Sequence, residues 1–95
     1  MKKVIAIFLL SLICNFLKAN KFEVGKNRPF KSIKSALNKI QNGDTIYVYE
    51  GIYKEGNIIL SKTVNLIGVN FPILDGEKKH EILSIKAANT LVSGF

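Results

Sequence analysis

A chain of 95 residues admits at most one small domain. Its 14 basic and 7 acidic residues give a formal charge of +7. The basic residues are scattered and several adjoin acids, as in Glu77-Lys78-Lys79, so the sequence lacks the clustered face with base-reading or stacking groups that nucleic-acid binding needs.

Met1-Lys2-Lys3 followed by the apolar run Val4–Leu17 has the basic n-region and apolar h-region of a secretory signal. The run is shorter than the about 20 residues a transmembrane helix needs. The expected division is a signal peptide over residues 1–19, cleaved after Ala19, and a mature segment over residues 20–95. An uncleaved anchor is the alternative. Cys14, at the end of the h-region, invites lipidation, but the bulky Ile13 before it fits that processing poorly, and the cysteine reads as a small apolar residue of the signal. With Lys2, Lys3 and Lys18 removed, 11 basic residues face 7 acidic ones, a net +4. The mature segment then has no cysteine, which excludes disulfides and thiolate metal sites within it.

Lys21–Val24 reads as a first strand, and Gly25–Pro29 as a loop. The residue before Pro29 is pushed away from helical geometry, so the next element starts after it. Ser32 suits an N-cap. Phe30, Ile33, Leu37 and Ile40 recur at the spacing of one helical face, which predicts a short amphipathic helix over Ser32–Gln41, ended by Asn42-Gly43. Its lysines, on the other side, offer a membrane or anion face as the alternative but read as a solvated helix surface. Its apolar stripe suits a cap on the open end of a repeat array.

From Gly43 onward the pattern changes to short apolar, β-branched runs at Thr45–Tyr49, Asn57–Leu60 and Val64–Ile67, then Ile73-Leu74, Ile82–Ile85 and Thr90–Val92, with turn residues between them. Ile46 with Val48, Ile58 with Leu60, and Val64 with Leu66 are the inward positions of alternating strands. Strands so short and so closely turned do not build a wide sheet alone. Three pieces to a lap, each lap in the low twenties of residues, suit a coil whose pieces stack on the next lap. The expected fold is all-β: the N-terminal coils of a right-handed parallel β-helix (solenoid) with a short amphipathic capping helix. About two laps with one open end is fewer than such repeats need for stability, so the chain reads as a piece of a longer protein.

The run RPFKSIKSALNKIQNGDTIYVYEGIYKEGNIILSKTVNLIG, followed by PILDG and LVSGF, resembles the N-terminal portion of right-handed parallel β-helix proteins of the pectin-lyase-like class. Within that class it is most similar to the NosD-like family of nitrous oxide reductase maturation proteins. The resemblance covers Phe22 to Phe95. It implies a periplasmic accessory protein without catalytic activity of its own, assisting copper-centre maturation of nitrous oxide reductase together with an ABC transporter. Polysaccharide-binding or polysaccharide-degrading β-helix proteins begin in a similar way and supply the alternative reading. Copper is implied by the resemblance alone: the mature segment contains one His, no Cys and no Met, so the ligands copper favours are nearly absent.

No catalytic, cofactor-binding or metal-ligating residue is assigned. His80, in Lys78-Lys79-His80-Glu81, reads as a surface residue without a second ligand at useful spacing. Asp44, Glu50, Glu55, Asp75, Glu77 and Glu81 offer carboxylates for a glycosidase-type pair or a calcium site. Asp44 and Asp75 each adjoin a glycine, however, where bonding to nearby backbone explains them. Tyr47, Tyr49 and Tyr53 are expected to point outward or into a turn, as a β-propensity surface that could stack on sugar rings. Gly68, Gly76 and Gly94 read as corners of the coil and not as a phosphate loop, since no Gly-Lys-Ser/Thr follows.

Overall fold

The structure is a computed structural model that describes residues 19–78 and 82–95. The signal segment with Cys14, and His80 and Glu81 in the charged loop, lie outside the described residues. Eight strands and one short helix follow in chain order: β1 (Lys21–Val24), α1 (Ile33–Leu37), β2 (Asp44–Val48), β3 (Ile52–Tyr53), β4 (Ile58–Leu60), β5 (Val64–Gly68), β6 (Ile73–Leu74), β7 (Leu83–Ile85) and β8 (Leu91–Ser93). They form a four-stranded sheet in the order β1-β2-β5-β8 and two-stranded sheets β3-β6 and β4-β7. Every strand pairing is parallel. From β2 on, the chain visits the three sheets in repeating order, so that partners are never neighbours in sequence. A hairpin is impossible in such pairing, which requires a long crossover between partners.

The register explains why the runs are short. Ile46 lies opposite Leu66 and Leu66 opposite Val92, while Tyr53 lies opposite Leu74 and Ile58 opposite Leu83. Inward positions therefore stack on inward positions. Ile46, Val48, Ile58, Leu60, Val64 and Leu66 are buried, as their alternation predicts, and join Val24, Ile33, Ala36, Ile40 and Tyr53 in one core. Each fully buried aliphatic side chain contributes about 1.5–3 kcal/mol, and these supply most of the favourable term. Gly68 and Gly94 stack so closely that a Cβ on either would run into the carbonyl of the other. Gly94 also adopts φ +85°, a region that disfavours side chains.

The sequence spacing places the helix correctly and overestimates its length. Ser32 is the N-cap, extended at φ −131° and ψ 153°, and its side chain accepts from the Ser35 N–H. The helix ends at Leu37 with Asn38 as C-cap, four residues before Gln41. The Lys62 ammonium closes this end from outside the helix, donating to the Leu37 carbonyl at 3.4 Å and, in the turn that follows, to the Ile40 carbonyl at 2.8 Å. Ile40 is buried from the turn that follows. At the other end Glu55, from the β3–β4 connection, accepts from the Ile33 and Lys34 amides at 2.8 and 2.9 Å. These are two of the N–H groups a helix start leaves without an intrahelical partner.

β3 is an element the alternation did not reveal. Ile52-Tyr53 follows Gly51 at φ +152°, and that turn restarts the inward–outward phase. Tyr53 consequently points into the core, 8% exposed, which corrects the expectation that it faces outward or into a turn.

Candidate functional site

Concave regions among the described residues include the following three. A hollow of about 570 Å³ lies against β6, β7 and β8, lined almost entirely by apolar side chains that include Phe71, Leu74, Leu83, Val92 and Phe95. A groove of about 250 Å³ runs between α1 and β4, with Leu37 and Ile59 as its apolar part and Lys34, Asn38 and Asn57 as its polar part. A cleft of about 130 Å³ is bounded by Lys26, Asn27, Arg28, Tyr49 and Glu50.

The polar cleft has the most organised chemistry. The loop after β1 folds back on itself, with the Gly25 N–H donating to the Phe30 carbonyl at 2.9 Å and the Phe30 N–H to the Glu23 carbonyl at 3.3 Å. This fold brings Arg28 over Tyr49, its guanidinium carbon 3.7 Å from the ring centroid. The same guanidinium donates to Glu23 Oε2 at 2.8 Å. Arg28 is thereby committed to an aromatic face and a carboxylate at once. Its partly exposed ion pair contributes little stability but fixes the loop. Tyr49 is covered and cannot stack on a sugar ring from that side.

The carboxylates weighed as catalytic or calcium-binding groups have other work. Asp44, 4% exposed, accepts from the Asn20 N–H at 2.9 Å and the Gln41 N–H at 2.8 Å. It thus fastens the start of β1 and the chain after the helix to the start of β2. Asp75 accepts from the Glu77 N–H at 2.8 Å, the local turn bond its neighbouring glycine suggests. Glu55 holds the helix amides, and Glu50 lines the polar cleft. Tyr47 is half-buried on the outer face of β2. Tyr53 donates its hydroxyl to the Tyr49 carbonyl at 2.7 Å; burial, and then the charge of Glu55, raise its pKa above the usual tyrosine value.

Among the described residues no three His, Cys, Asp or Glu side chains converge as a metal site. Those residues include no His, Cys or Met at all, so their donor set does not fit copper. No helix among them is long and apolar enough to cross a membrane. Sequence reasoning missed the Arg28–Tyr49 contact, whose signal is a lone Arg in a Gly–Pro loop. It also missed the long-range use of Glu55 and Lys62, for which a single sequence carries no local signal. No family model matches the chain, and no curated protein or solved structure is detectably similar to it.

Proposed function

We propose that this chain forms the first coils of a right-handed parallel β-helix closed at one end by its short helix. In this reading it acts as an exported, periplasmic accessory protein of the NosD-like kind. The observation that carries the reading is the register: in all three sheets each strand pairs in parallel with one 20 to 26 residues further on, and parallel crossovers within a sheet are right-handed in nearly every case. The helix, with Ile33 and Ala36 buried and Lys34 outward, has the one-sided character of a cap. The run from Arg28 to Gly68 and the later PILDG supply the likeness to the maturation family.

The role is that of a scaffold. Copper is cargo in this reading, and the described residues do not hold it; their contribution is a rigid, regularly stacked surface on which nitrous oxide reductase or components of an ABC transporter can dock. The test is deletion of the coding sequence in its host, followed by metal analysis of purified nitrous oxide reductase. Copper-depleted reductase, restored to full loading by a plasmid-borne copy, is the expected result. Fully loaded reductase in the deletion strain rejects the role and leaves polysaccharide binding as the alternative to examine by glycan pull-down.

A further inference from the structure

Six of the eleven basic residues that follow residue 19 belong to the first elements of the fold, at one edge of the molecule. Residues 20–42 contain Lys21, Lys26, Arg28, Lys31, Lys34 and Lys39 against the single acid Glu23, whereas residues 43–95 contain five lysines against six acids. β1 is the terminal strand of the four-stranded sheet. The loop after it folds back onto it, and α1 packs against β1 and β4. Of the acids that reach this edge, Glu23 is paired with Arg28, Asp44 holds the Asn20 and Gln41 amides and Glu55 the Ile33 and Lys34 amides, while the exposed Glu50 lines the cleft beside Lys26. Lys21, Lys26, Lys34 and Lys39 are exposed, and none has a carboxylate partner among the described residues.

From this arrangement we infer that the β1–α1 edge is a docking surface for an anionic lipid bilayer. The four free ammonium groups stand on separate elements (a strand, a loop, the helix and the turn after it) and do not converge on one cleft. Dispersed point charges on flexible stems match a plane of headgroups better than one discrete anion. The sole guanidinium of the edge is engaged with Glu23 and Tyr49, and Phe22 and Phe30 pack on each other with ring centroids 5.7 Å apart. The stacking and forked groups that a nucleic acid needs are therefore used up.

The test is sedimentation of the full chain with vesicles of phosphatidylcholine alone or mixed with phosphatidylglycerol, across a salt series. The Lys21→Gln/Lys26→Gln/Lys34→Gln/Lys39→Gln variant is compared with a Lys54→Gln/Lys78→Gln/Lys86→Gln control, both checked for native circular dichroism. Binding of the wild-type chain to the anionic vesicles falls with salt. It drops on the order of a thousandfold in the quadruple variant and is unchanged in the control. Equal binding to neutral and anionic vesicles overturns the inference, because the apolar segment alone would then account for it. So does undiminished binding of the quadruple variant. Retention on polyglutamate without vesicle binding also overturns it, in favour of an acidic protein.

Discussion

Tyr53 shows how one side chain can fasten a corner. Its ring fills the core beside the β2–β3 turn and its hydroxyl closes onto the Tyr49 carbonyl. Desolvation by burial and the negative charge of Glu55 both disfavour the phenolate, so its folded pKa lies above the unfolded value of 10.0. The sign follows directly. A raised folded pKa stabilises the folded state in full below the unfolded pKa, and that contribution is lost as pH climbs through the folded one. Urea denaturation at a series of pH values from neutral to strongly alkaline is expected to show stability falling above pH 10. Tyr53→Phe loses about 1 kcal/mol at neutral pH through the missing hydrogen bond and shows a shallower alkaline decline. An unchanged alkaline slope in the variant would assign the decline to other groups. The inward position of Tyr53 was not legible in sequence, because the phase of alternation carries through a strand but not through a turn at Gly51.

At the scale of elements, the helix owes its position to charges supplied from the strands. A helix of five residues cannot stand on propensity, since isolated helices shorter than about 12–15 residues are marginal in water. Glu55 at its start and Lys62 just past its end each complement the helix dipole and satisfy backbone groups. Glu55→Ala is expected to cost about 1–2 kcal/mol and to speed amide exchange at Ile33 and Lys34. Lys62→Met keeps the apolar stem and removes the ammonium, and costs less, about 0.5–1 kcal/mol. If exchange at Ile33 and Lys34 is untouched by Glu55→Ala, the clamp is not what orders the helix. The helix was legible from Ser32 and the spacing of Ile33, Leu37 and Ile40. Its early end was not, because Lys62 takes over the carbonyls from a connection more than twenty residues away.

Across the whole molecule, the parallel register makes stability a matter of position in the strand order. β2 and β5 are paired on both sides, whereas β8, β6 and β7 each end their sheet. The core thins in the same direction: Leu60 is 0% exposed, but Ile85, opposite it in register, is 53% exposed. Leu66 is fully buried, while its partner Val92 is only partly so. These pairings were foreshadowed by short alternating runs recurring about twenty residues apart. The basic edge was legible only in part: its charge is concentrated in residues 20–42, but that Lys21, Lys26, Lys34 and Lys39 stand without carboxylate partners is seen only in the fold. A coil of the proposed kind gains stability from nearest-neighbour contacts, so equal truncations in successive strands need not cost equally. Leu66→Ala is expected to cost about 2–5 kcal/mol, as a buried large-to-small change with a residual cavity. Val92→Ala removes less apolar area from a side chain with one open flank and costs about 1 kcal/mol or less. Native-state hydrogen exchange follows the same order, with β2 and β5 amides opening last and β8 amides first. Equal protection of β5 and β8 would mean that further structure covers β8, and would make the apolar hollow beside Val92 and Phe95 an internal space.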